Sequence, residues 1–223
     1  MFIEQPPRLF RWLYPHALWR INPDKKIVYL TFEDGPIPEA TPFILDTLDR
    51  FEVKATFFMV GDNAVKYPHL LDEVRRRGHQ IGNHTFNHLS GFRHRPWSYL
   101  ANIKKANDIF HTNLFRPPHG WIGLVQYRVL RYCGLKVVMW DVVTRDYSRL
   151  LTADDVVNNV KRYTRNGSII TMHDSLKSIE EQLPKQLDWV GDDFGFGGYM
   201  DEVVYRNSPV HYLHDMPLGR PDI

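Results

Sequence analysis

At 223 residues the chain can form one domain with a substantial core, and it is too short for two ordinary ones. Its 43% hydrophobic and 24% charged residues are the balance of a soluble globular protein, which excludes a disordered or membrane-embedded class. The formal net charge is +2, from 28 basic and 26 acidic residues, which argues against nucleic acid as the main partner.

Residues 1–8 hold no apolar stretch of signal-peptide length. No segment reaches the roughly 18 to 20 apolar residues of a spanning helix, so we expect a cytoplasmic chain with no membrane span. Residues 27–32 form an apolar run of strand type, and residues 39–50 carry Phe43, Ile44 and Leu48 near helical spacing. A second strand at 55–60 precedes a helix over 63–77, closed by Gly78 as a C-cap and solvated at Arg75, Arg76 and Arg77. Short strands at 80–82 and 114–116 flank a helix over 97–110. A helix over 125–132 ends at Cys133 and Gly134, with the chain's one thiol packed on the core rather than reactive. After a strand at 137–140, Thr152 caps a helix that begins with Asp154 and Asp155 and runs to Arg165. The last clear strand is 169–172; residues 191–199 read as a loop, and the last 25 or so have no assignment.

Strand and helix thus alternate about six times, which predicts a parallel α/β architecture, barrel or open sheet. Strands apolar along their whole length indicate burial on both faces.

Polar residues gather where these strands end, the place where parallel α/β folds bind ligands. The first strand runs into Glu33-Asp34-Gly35-Pro36, and the third into His84 and His88, four apart. That spacing recurs in metal sites, because one helical turn would bring both imidazoles to one side. The fourth leads to Arg116-Pro117-Pro118-His119-Gly120, the fifth to Trp140-Asp141 with Asp146-Tyr147 beyond, and the sixth to His173-Asp174. Taken singly, a turn, a surface pair or a structural histidine explains each cluster. Taken together, they supply metal ligands, a spare carboxylate, an arginine and a spare histidine.

These motifs, in this order, resemble the polysaccharide deacetylase family (carbohydrate esterase family 4, the NodB-homology domain). The resemblance covers roughly residues 26–190 and implies a distorted (β/α)7-type barrel in a single domain. Residues 1–25 are then an N-terminal extension and 26–223 the catalytic domain. The resemblance further implies a metal-dependent hydrolase that removes N-acetyl groups from N-acetylglucosamine-type sugars, in peptidoglycan or chitin-like oligomers. Asp34, His84 and His88 match its metal ligands, for Zn2+ first and Co2+ or another divalent ion otherwise. A His₂-carboxylate set suits a catalytic zinc site with open positions. Glu33 falls at the base position, with Arg116 holding it, and His173 at that of the acid, oriented by Asp146. The backbone of His119 falls at the oxyanion position, and Tyr147 and Trp140 are candidate walls of the sugar groove.

The chain departs from the family pattern at Glu33, where Asp is usual. The extra methylene moves the carboxylate by on the order of 1 Å, a displacement that can cost about a hundredfold in rate. His119 stands for a usual Tyr, Tyr147 for a Trp, and Thr171 for an apolar residue of the acetyl pocket. Two other readings stay open: a catalytically impaired carbohydrate-binding homologue, and a hydrolase of small non-sugar amides.

Overall fold

The run of buried side chains in β1 (Ile27–Glu33) places it at the centre of a parallel sheet. The computed structural model describes residues 4–148, 150–174, 179–198 and 200. In chain order, α1 (Arg8–Leu13) precedes β1, then come α2 (Thr41–Arg50), β2 (Thr56–Met59), α3 (Gly61–Lys66) and α4 (Pro68–Arg76). Next are β3 (Gln80–Asn83), α5 (Pro96–Phe110), β4 (Leu114–Phe115), α6 (Leu124–Tyr132), β5 (Lys136–Val137) and β6 (Val142–Val143). The series closes with α7 (Ala153–Tyr163), β7 (Ile169–His173), α8 (Ile179–Asp193) and β8 (Gly195–Phe196).

The strands pair in the order β5-β4-β3-β2-β1-β7-β6, with β8 added alongside the start of β1, and every pairing is parallel. This curled sheet is the distorted (β/α)7-type barrel that the sequence implies. The chain ahead of β1 also joins the sheet: Leu18 bridges Val138 in parallel and Arg20 bridges Ser168. Tyr14, Ala17, Trp19 and Ile21 are buried with it. Between sheet and helices lies a core that includes Phe32 stacked on Phe57 at 5.0 Å, with Ile44, Leu48, Val160 and Leu187 closing over it. Each such side chain contributes about 1.5–3 kcal/mol when fully buried.

Thr152 caps α7 as expected, its hydroxyl accepting the Asp155 N–H at 3.2 Å. Cys133 is buried at the end of α6, and burial pushes its thiol pKa up. The helix expected over 63–77 is two, because Pro68 cannot continue α3 and instead opens α4. Arg77 at its end is not merely solvated, since it pairs with Asp46, Asp49 and Glu73. The expected strand at 137–140 is split into β5 and β6 around Trp140-Asp141. Much of the stretch read as a loop from residue 191 is the end of α8 and all of β8; residue 199 and residues 201–223 lie outside the described residues.

Candidate active site

The clusters at Glu33, His84, Arg116 and His173 sit at the carboxyl edge of the sheet because each falls at or just after the last residue of a strand, whereas Asp141 directly precedes β6. Glu33 ends β1 and His173 ends β7, and the two are register partners in adjacent strands. Asn83 ends β3 and is paired with Phe115, so the His84 and Arg116 that follow them start side by side. The adjacency is sealed by a hydrogen bond between His84 Nδ1 and the Arg116 carbonyl at 2.8 Å. A carbonyl only accepts, so Nδ1 carries the proton and Nε2 offers a lone pair.

That lone pair faces Asp34. Asp34 Oδ1 lies 3.6 Å from His84 Nε2 and 3.1 Å from His88 Nε2. One ligand atom from each of the three residues falls within 4.8 Å of the others. Asp34 Oδ1 and His84 Nε2 are buried with no hydrogen-bond partner in the protein, an arrangement that costs free energy unless something fills it. The donor set and these orphaned atoms fit a divalent cation. Burial holds His84 down at about 4, so it is neutral and ligand-competent at pH 7. The Asp34 carboxylate beside its Nε2 raises the His88 pKa against the opposing effect of burial.

The two imidazoles do not meet on a helical turn. Residues 84–90 form an irregular loop in which Thr85 (φ 66°) and His88 (φ 53°) are left-handed. Asn83 Oδ1 accepts the Thr85 N–H at 2.8 Å, Asn102 Oδ1 accepts those of Phe86 and Asn87, and Thr85 Oγ1 that of Leu89. These side chains hold a backbone that would otherwise cost on the order of 1–3 kcal/mol per strained residue. Asp34 (φ 71°) is similarly pinned through its carbonyl, which accepts from Asn63 Nδ2 at 2.8 Å.

Beside the triad lies a chain of charged groups. Arg116 is wholly buried; its Nη1 donates to Glu33 Oε1 at 3.1 Å, Thr31 Oγ1 at 2.7 Å and Thr171 Oγ1 at 2.9 Å. Its other nitrogens donate to the Val138 and Met139 carbonyls, and Phe58 lies under the guanidinium. Burial pushes Arg116 down to about 10, with Glu33 opposing, so it remains charged. Glu33 Oε2 faces His173 Nε2 at 3.4 Å and His84 Nε2 at 3.8 Å. Burial works against a charge on Glu33, but His84, His173 and Arg116 outweigh it and hold the carboxyl well below the usual range. His173 Nδ1 meets Asp146 Oδ1 at 2.8 Å, and Asp146 Oδ2 accepts the His173 backbone N–H at 2.7 Å. Burial would lower His173; Asp146 and Glu33 overcome it and raise its pKa well above the ordinary value.

Glu33, Asp34, His88 and His173 floor a cavity of about 580 Å³. Tyr147 and Trp140 line it, Tyr147 with its ring edge-on to His173 at 4.9 Å. His119 also lines it, in a left-handed conformation and packed against His88. Gly120 next to it can only be glycine, because its φ is +72° and a Cβ would collide with the Trp140 ring.

Two residues next to the site, Thr31 beside Arg116 and Asp174 on the cavity lining, carry no role in the sequence reading. The hydroxyls of Thr31 and Thr171 are taken up by Arg116, so the polarity of Thr171 faces the arginine. Asp174 is buried against Thr41, and burial pushes its carboxyl up to about 7. Its adjacency to His173 was the available signal. Asp141, which shared a cluster with Trp140, does not line the cavity. It is a buried anchor for Arg11, Arg165 and Ser168, tying the N-terminal segment to the end of α7.

Residues 20–138 match the family model described as polysaccharide deacetylase. A peptidoglycan-N-acetylglucosamine deacetylase of Bacillus cereus is 33% identical over 172 residues, 71% of this chain and 78% of that protein. The structure of the Bc1960 peptidoglycan N-acetylglucosamine deacetylase superposes with a TM-score of 0.81 at 30% identity, covering 89% of this chain and 96% of the other. That of BA3943 from Bacillus anthracis, called a family 4 pseudoenzyme, superposes at 0.77 with 25% identity, covering 85% and 69%. The chain belongs to the polysaccharide deacetylase family, whose members are hydrolases of N-acetyl amide bonds.

Proposed function

We propose that this protein removes N-acetyl groups from N-acetylglucosamine-type sugars, in peptidoglycan or chitin-like oligomers, with Zn2+ held by Asp34, His84 and His88. The observation that carries the reading is the meeting of two constellations on one cavity floor. Three ligand atoms within 4.8 Å of one another, two of them buried without a partner, lie beside a Glu33–His173–Asp146 chain. When bound there, zinc supplies Lewis acidity toward the acetyl carbonyl and acidifies water.

The protein's own groups then divide the proton work. Arg116 occupies Glu33 Oε1, which leaves Oε2 turned toward the triad to take a proton from the attacking water. His173, kept protonated by Asp146, delivers a proton from Nε2 to the leaving amine as the C–N bond breaks. The backbone N–H of His119 donates toward the developing oxyanion. Tyr147 and Trp140 flank the sugar ring. The longer side chain at position 33 is accommodated, since it reaches both Arg116 and His173.

The test is acetate release from acetylated glucosamine oligomers by zinc-loaded protein. Release that disappears in Asp34→Ala supports the reading, and no release from any acetylated sugar tried overturns it. Glu33 also favours a second reading, a sugar-binding homologue that does not turn over. Sugar binding by calorimetry without acetate release, unchanged in Glu33→Asp, is its signature.

A further inference from the structure

The rim of the cavity next to the N-terminus is unusually apolar and unusually basic. Among the described residues, 11 large hydrophobic side chains are exposed, and seven of them lie on three segments beside the cavity mouth. The helix α1 presents Leu9 (62% exposed) and Trp12 (75%) on one face. Phe92 and Trp97 come from the turn before α5 and from its first residues. Trp121, Leu124 and Val125 come from the loop before α6 and its first turn.

These segments form one surface. Phe10 and Phe92 both pack on Trp121, at 4.9 and 5.5 Å. Gly91 N–H donates to the Trp121 carbonyl, and Gln126 Nε2 donates to the carbonyls of Gly91 and His94. The patch is continuous with the catalytic cavity, because Pro6, Pro7, Phe10 and Trp121 line both. Patches of this extent on a soluble chain mark an interaction site.

Charge identifies the partner. Residues 5–13, 90–98 and 119–128 contain five arginines and no Asp or Glu, in a chain whose overall charge is only +2. Arg8, Arg93, Arg95 and Arg128 are exposed and enter none of the ion pairs among the described residues. Tryptophan and aliphatic side chains interleaved with unpaired arginines suit an anionic bilayer: the apolar groups enter the headgroup boundary and the guanidinium groups stay with the phosphates. A polysaccharide fits less well. Phe10 and Phe92 meet Trp121 at 64° and 66°, so the rings offer no flat row for successive sugars, and Leu9, Leu124 and Val125 offer no stacking face.

We propose that this rim is a membrane-docking surface that seats the protein on anionic lipid, with the catalytic cavity opening at the bilayer. The inference does not depend on the chemistry at the metal triad. Its test is co-sedimentation of the full chain with vesicles of phosphatidylcholine containing about a third phosphatidylglycerol, against pure phosphatidylcholine. Binding to the anionic vesicles is expected, weakening with salt. It should fall about tenfold in Trp12→Ser, Leu124→Ser and the charge reversal Arg95→Glu. Acetate release from a soluble oligosaccharide should stay unchanged in the same variants, which line no part of the cavity. No binding to anionic vesicles overturns the proposal, as does binding that all three variants retain. Retention on an insoluble acetylated polysaccharide, sensitive to these variants while vesicles are ignored, assigns the face to the polymer and also overturns it.

Discussion

Glu33 Oε1 lies 3.1 Å from Nη1 of Arg116, and both side chains are buried. The pair fixes which carboxylate oxygen can act. With Oε1 committed to the guanidinium, Oε2 alone faces the triad and His173. Replacing Glu33 by Gln keeps the shape and removes the proposed base, so kcat should fall by about a hundredfold or more with KM little changed. Glu33→Asp withdraws the oxygen by on the order of 1 Å from Arg116 and His173, and should lower rather than raise kcat. A large gain in Glu33→Asp would mean that the carboxylate is misplaced in the parent while the rest of the site is competent.

In the proposed mechanism Asp146 acts through His173. Because it raises the His173 pKa, the acid form persists to higher pH and sets the alkaline limb of the rate profile. In Asp146→Asn that limb should move to lower pH by about one unit or more. A profile of kcat/KM against pH with an unmoved alkaline limb would show that His173 is not the acid.

His79 is a buried histidine away from the site. Its Nδ1 accepts the Ala55 N–H, it packs edge-on against Phe57, and burial pushes it down to about 4. The folded value lies below the unfolded one, near 6.5. Between the two the unfolded chain binds the extra proton, so stability is full above pH 6.5 and is lost as pH falls toward 4. The loss through this residue should be on the order of 2–3 kcal/mol. His79→Gln should flatten the decline of Tm over that window; an unchanged slope would show that His79 is not its source.

The site was more legible than the fold around it. A parallel sheet buries its strands on both faces, so β1, β2 and β7 stand out as apolar runs, and the chemistry collects at their ends. Asp34, His84, His88, Arg116 and His173 could be read for that reason. The His84–His88 pair was found by a spacing that suggests a helix, yet the loop is held by Asn83 and Asn102 instead. Side chains bonded to backbone across distant segments leave no periodic trace. Strands β5 and β6 span two residues each and escape any pattern of alternation. Helix α8 carries a proline and buried glutamines, Gln182 and Gln186, which blur its apolar stripe of Leu183, Leu187 and Val190. Arg116 draws on Thr31 and Thr171 from two other strands, a relationship that only the folded register creates.

The proposed chemistry requires one cation held jointly by Asp34, His84 and His88, and calorimetric titration of chelator-treated protein with Zn2+ tests this most directly. One tight site per chain is predicted, weakened by about a hundredfold or more in His84→Ala. Zinc that fails to bind, or that binds equally well after His84→Ala, would contradict it.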